Sequence, residues 1–159
     1  AVSVHGTGKT TLTGQLGEVM RESAEAALSW VRSNADTLGL PESALGPQTL
    51  HLHIPAGAVP KDGPSAGIAL VTAMISALTG RCARSHVAMT GEISLRGHVL
   101  PVGGIKGKVF AAARAGITQI VMPRRNEKDL VDIPADVRSQ VDIQLVDGIE
   151  EALELPLDS

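Results

Sequence analysis

The segment from Ser65 to Leu78 is apolar on almost every face of a helix, so it needs packing partners all round. A membrane span takes roughly 18 or more apolar residues, and no stretch approaches that length. The chain must therefore wrap this helix in its own strands and helices. Its 159 residues, 43% of them apolar, suffice for one domain with a real core, and we expect a single domain over residues 1–159. With one Trp, one Phe and no Tyr, the core is built from small aliphatic side chains and offers no aromatic platform for base stacking. The net charge of −3 and pI near 5.9 argue against nucleic acid or an anionic membrane as main partner. The lone cysteine, Cys82, excludes an internal disulfide and a Cys-based zinc site and fits a reducing compartment.

Around the buried helix, strand and helix patterns alternate without internal repeats, which predicts one mixed α/β domain. Residues 1–16 read as a hairpin leading into a helix, and Glu18 to Leu38 repeats apolar residues (Val19, Ala26, Ala27, Trp30, Val31, Leu38) at helical spacing, with Gly39 as the stop. Pro41 to Pro47 and Ala56 to Gly63 read as loops. Thr49 to Ile54 alternates Leu50, Leu52 and Ile54 with His51 and His53, the period of a half-buried strand. His86 to Ile93 and His98 to Val102 are expected strands joined by a turn at Arg96-Gly97. Gly104 to Ala115 is an expected helix closed by Gly116. Gln119 to Met122 and Val141 to Val146 follow as strands, Asn126 to Leu130 as a helical turn, and Ile149 to Leu153 as a closing helix. The start at Ala1-Val2-Ser3-Val4-His5 has neither an initiator Met nor a signal sequence, and reads as excised from a longer polypeptide.

Three segments invite chemistry. His5-Gly6-Thr7-Gly8-Lys9-Thr10 imitates a phosphate loop, but Ser3 stands at the first glycine position and no apolar strand precedes it; a plain glycine-rich loop is expected. Gly63-Pro64-Ser65-Ala66-Gly67 is a literal G-x-S-x-G. An α/β-hydrolase elbow needs a strand directly before it, then an acid and a histidine, whereas the apolar strand here ends near Ile54. Of the later histidines, only His86 and His98 remain, so a Ser–His–Asp triad is poorly supplied. Taken alone, Ser65 reads as a helix N-cap. Its place at the start of an apolar helix also gives it free N–H donors for an oxyanion, and a nucleophilic serine needs a base. The third segment, Gly103-Gly104-Ile105-Lys106-Gly107-Lys108-Val109-Phe110, supplies lysines in the first turns of a helix. Burial and a helix N-terminus both disfavour the ammonium form. With Ile105, Val109, Ala112 and Gly116 inward, Lys108 lies roughly 60° from the centre of that face and Lys106 roughly 100°. His51 and His53 share one strand face, without an evident third ligand; no metal site is expected.

Pro60-Lys61-Asp62-Gly63-Pro64-Ser65-Ala66-Gly67 resembles the catalytic-serine motif of Lon proteases. Thr90-Gly91-Glu92-Ile93-Ser94-Leu95-Arg96-Gly97, continuing through Leu100-Pro101-Val102-Gly103-Gly104-Ile105-Lys106-Gly107-Lys108, resembles their lysine segment. The resemblance runs from about Leu12 to Leu153 and is of the LonA type. It implies Ser65 as nucleophile, Lys108 as general base, Thr90 orienting the amine and Asp62 beside the serine as a modulator. Gly63, Pro64 and Ala66 would form the oxyanion and substrate loop. It also implies a mixed α+β fold resembling the second domain of ribosomal protein S5, a hexameric homo-oligomeric ring, and unfolded polypeptides as substrates. No cofactor is expected in this domain, ATP and Mg belonging to an unfoldase module that precedes it in the family. Ala56 stands where many bacterial members carry Glu, and Gly107 where an acidic or amide residue often separates the lysines. Trp30 to Ala35 and Pro123 to Leu130 are similar to the peroxisomal branch as well as to some bacterial members. The end, Pro156-Leu157-Asp158-Ser159, lacks an S-K-L address, so bacterial cytoplasm is the preferred location, with mitochondrial matrix or peroxisome as eukaryotic alternatives. Two rivals stand beside this reading: a non-catalytic subunit-interaction domain with a resting Ser–Lys pair, and a triad esterase using Ser65 and His98.

Overall fold

A computed structural model describes residues 1–5, 9–40, 48–55 and 62–158. The middle of the phosphate-loop imitation (residues 6–8), the whole expected loop from Pro41 to Pro47 and most of that from Ala56 to Gly63 therefore lie outside the described residues. The elements are β1 (Val2–His5), β2 (Thr10–Thr13), α1 (Glu18–Ser33), β3 (Gln48–His53), α2 (Gly67–Thr79), β4 (Val87–Met89), β5 (Glu92–Ile93), β6 (Val99–Leu100), α3 (Ile105–Arg114), β7 (Gln119–Pro123), a 3-10 helix (Arg124–Asp132), α4 (Ala135–Arg138), β8 (Asp142–Val146) and α5 (Ile149–Leu153).

Two small sheets and a short hairpin carry the strands. The first sheet has the order β1-β3-β2, with β3 antiparallel to β1 and parallel to β2. The expected hairpin within residues 1–16 is therefore absent, because β3 inserts between its two arms. Leu50 and Leu52 of β3 are buried, and a central position gives that strand ladder partners on both edges. A long-range strand with an apolar face outcompeted the local turn.

The second sheet, β4-β7-β8, is wholly parallel, which requires covered faces. Side-chain alternation along its strands sorts the core into two clusters. Val87, Val121 and Val146 join α1, α2 and α5 on one face. Ile120 and Met122 join Ile105, Val109 and Ala112 of α3, together with Leu130, Ile133 and Val141, on the other. At the heart of the first cluster Ile68, Val71 and Met74 of α2 are fully buried, each contributing about 2 kcal/mol through burial. The all-apolar segment is thus a core helix, shielded as its composition demands. It starts two residues after Ser65 and ends at Gly80, which takes the left-handed conformation at φ +76°.

α1 is shorter than its periodicity suggested. Asn34 stops it by donating its amide Nδ2 to the Trp30 carbonyl at 2.8 Å, and turns carry the chain on to Gly39. Its buried stripe is Met20, Ala24, Ala27, Trp30 and Val31; Val19, counted inward from the sequence, is exposed. The β5–β6 hairpin turns at Arg96-Gly97 as expected, but β4, which precedes it, belongs to the parallel sheet instead.

Candidate active site

β4 is the edge strand of the parallel sheet, so helices on opposite faces can meet around it. α2 approaches from one face and α3 from the other. Between them lies a cavity of about 260 Å³ lined by Ser65, Ala66 and Ala69, by Ala88, Met89 and Thr90, by Lys108 and Ala112, and by Ile120. Ser65 and Lys108, 43 positions apart in the chain (108 − 65), thus share one small chamber whose other walls are almost entirely aliphatic.

The serine is placed by main-chain bonds. Its carbonyl accepts the Gly91 N–H at 2.9 Å and the Thr90 hydroxyl at 3.3 Å. The first turn of α2 is pinned to the same segment, since the Ile68 N–H donates to the Gly91 carbonyl at 3.2 Å. Gly67 makes this close approach possible. A Cβ there would lie 2.8 Å from the Ile93 amide nitrogen and 3.0 Å from the Gly91 oxygen. The second glycine of the G-x-S-x-G string therefore serves helix-on-strand packing, not the elbow that the string suggested. The N–H groups of Gly67 and Ile68 are committed to Pro64 and Gly91, whereas those of Ser65 and Ala66 find no backbone acceptor among the described residues. Of the three loop residues singled out with Ser65, Ala66 supplies a donor; Pro64 has none to give, and Gly63 donates its N–H to Asp62 at 2.9 Å.

The lysine is placed by burial. Ile105, Val109 and Ala112 face the second core cluster, which rotates Lys108 toward the cavity and leaves Lys106 exposed. Lys108 Nζ donates to Thr90 Oγ1 at 2.9 Å. That buried hydroxyl in turn donates a hydrogen bond to the Ser65 carbonyl, so its orientation is fixed from both sides. Desolvation by the aliphatic walls holds the Lys108 amine below the ordinary lysine value. None of the ion pairs among the described residues involves it.

Asp62 stands three positions before Ser65, and its carboxylate points to α1: Oδ1 accepts the Met20 N–H at 3.0 Å. His98 lies outside the Ser65 cavity. It borders two other hollows, beside Trp30 and Arg96 and beside Arg125 and Asp147, which removes the triad alternative. His51 and His53 converge on Thr13 Oγ1, each at 2.8 Å, so the pair forms a polar strand face.

Asn126 was missed from the sequence. Only 3% exposed, it accepts the Val102 N–H at 3.0 Å and donates to the Val102 carbonyl at 2.8 Å. This side chain substitutes for a strand partner and fixes the loop that leads into α3 and Lys108. An amide within the highly charged run Arg124 to Asp129 was the only signal, and such runs normally face solvent.

The chain matches the family described as Lon protease (S16) C-terminal proteolytic domain over residues 1–159. It is 56% identical over 158 residues to a Lon protease of Anaeromyxobacter dehalogenans, covering 99% of this chain and 19% of that protein. It is 57% identical over 152 residues to a Lon protease of Desulforamulus reducens, covering 96% and 19%. With the peroxisomal Lon protease homolog 2 of Danio rerio it shares 56% over 161 residues, covering 99% and 19%. The chain thus spans about a fifth of the length of these relatives, which include bacterial and peroxisomal proteins. No helix among the described residues is long and apolar enough to cross a membrane. With an α+β fold and a serine facing a lysine across an apolar chamber, the chain belongs to the Lon family and is its serine peptidase domain.

Proposed function

We propose that Ser65 is the nucleophile and Lys108 its general base. The observation that carries this reading is the shared chamber, in which the lysine amine rests on the hydroxyl that also holds the Ser65 backbone. Neutral Lys108 takes the Ser65 Oγ proton as the oxygen attacks the scissile carbonyl. The oxyanion is met by the Ser65 and Ala66 N–H groups. The resulting ammonium protonates the departing amine, leaving an acyl-enzyme on Ser65. Lys108, neutral again, deprotonates the water that releases the acyl group. Thr90 is the positioning residue for the amine.

For the protein as a whole, we infer ATP-dependent endoproteolysis of unfolded polypeptides by a hexameric homo-oligomer. The support is family membership, together with the 19% share of the relatives' length that this chain covers. ATP and Mg would act outside this proteolytic domain, which needs no cofactor for the steps above. Bacterial cytoplasm is the inferred location, supported by the bacterial relatives.

The test is peptidase activity of Ser65→Ala, Lys108→Ala, Lys106→Ala and His98→Ala in the assembled protein. Activity disappears in the first two and survives in the last two. Persistent cleavage by Ser65→Ala would refute the serine mechanism, and loss with Lys106→Ala alone would transfer the base.

A further inference from the structure

We infer that Gly17 and Asp62 form a latch that seats the Ser65 loop on α1, making both of them positioning residues for the reaction. The inference rests on Ser65 being the nucleophile. α1 begins after Gly17, an N-cap with no side chain to accept a hydrogen bond from the helix's first turn. The acceptor comes from elsewhere in the chain. Asp62 Oδ1 takes the Met20 N–H at 3.0 Å, the bond an N-cap side chain would make, and the Gly63 N–H at 2.9 Å. A Cβ built on Gly17 would overlap the Asp62 carboxyl carbon and both its oxygens. The carboxylate therefore fills the volume that any side chain at position 17 would need.

One turn further along α1, the Ser23 hydroxyl donates to the Pro64 carbonyl at 3.5 Å. Residues 62 to 64 are thus tethered to α1, and Ser65 is tethered by its carbonyl to Thr90 and Gly91. Between the two anchors Gly63 adopts φ +115°, a bend that glycine accepts at low cost. Releasing the Asp62 anchor lets this bend relax and moves Ser65 relative to Lys108. A shift of about 1 Å in a reacting group costs about a hundredfold in rate.

The experiment uses the natural-length protein with a fluorogenic peptide, a serine-directed fluorophosphonate and a melting curve for each variant. Gly17→Ala and Asp62→Ala each lower kcat and the rate of Ser65 labelling by about tenfold or more, with KM changed by less than about threefold. The double variant loses no more than either single one, because both break one device. Asp62→Asn keeps an oxygen acceptor and recovers to within about threefold of the parent. Glu18→Ala, in the same helical turn but outside the latch, stays within about twofold. Wild-type kcat in folded Gly17→Ala or Asp62→Ala overturns the latch, as do multiplied losses in the double variant or an equal loss in Glu18→Ala. Activity in Ser65→Ala would instead overturn the nucleophile; an inactive Ser65→Ala beside a fully active Asp62→Ala sinks the latch alone.

Discussion

The two faces of the β4-β7-β8 sheet hold the two halves of the candidate active site by different means. On the α2 face the serine is fixed by the main chain: its carbonyl is bonded to Thr90 and Gly91, and Gly67 lets the helix touch the strand backbone. On the α3 face the lysine hangs on a helix set by a smaller apolar cluster and by the Asn126 amide. Anchoring through its own carbonyl, with the Asp62 and Ser23 tethers just before it, fixes where Ser65, the proposed nucleophile, sits. Burial gives the lysine something else, a depressed affinity for protons. The first face supplies position, the second reactivity.

The largest effect that tests this contrast is expected at Lys108→Arg. Arginine keeps the positive charge but cannot give up its proton, so peptidase kcat should fall by about a thousandfold or more, as far as in Lys108→Ala. Residual activity near the parent level would mean that charge, not basicity, is what this face provides. Gly67→Ala attacks the other face. Its Cβ would press on the Ile93 and Gly91 backbone, and we expect a loss of about 1–3 kcal/mol in urea unfolding with kcat down about ten- to hundredfold.

Asn126→Ala strips both Val102 backbone groups of their partner. A cost of about 1–3 kcal/mol follows, with activity falling more than the folded fraction does, because the loop into α3 loosens. The pH profile sharpens the second face. With Lys108 as the proposed base, the reactive form is the neutral amine, so kcat/KM should rise with pH through the Lys108 titration. Burial lowers that pKa, so the midpoint of the rise should lie below the ordinary value of about 10.4. The same shift has a stability sign. Folded Lys108 binds protons less readily than unfolded, so its cost is fully present below the folded pKa and fades as pH climbs toward the unfolded one. Lys108→Met should therefore melt above the parent at neutral pH, with the gain shrinking at alkaline pH. Lys106→Ala, on the exposed side of the same turn, is the smallest effect, within about twofold in kcat.

Much of the fold could be read along the chain. The buried helix, the strands around residues 49–54, 119–122 and 141–146, and the helix carrying both lysines follow from periodicity alone, because burial on one face writes itself into residue spacing. Lys108 was separable from Lys106 by the same angular logic, and its half-buried position agrees with it. The pairing of Ser65 with Lys108 was not in any local pattern; family resemblance supplied it. Strand partnership was misread at the N-terminus because a nearby turn is visible in sequence, whereas competition from β3 is not.

What the sequence by itself determined is which segments must be buried and which residue types are available for chemistry, since both depend on side chains and their spacing. Only the tertiary structure decided that Ser65 and Lys108 meet around one sheet edge, that Thr90 links them, and that an aspartate distant in the chain occupies the space left by Gly17. Those relations depend on which backbones approach which, and close approach is a property of the packed molecule that no single stretch of chain encodes.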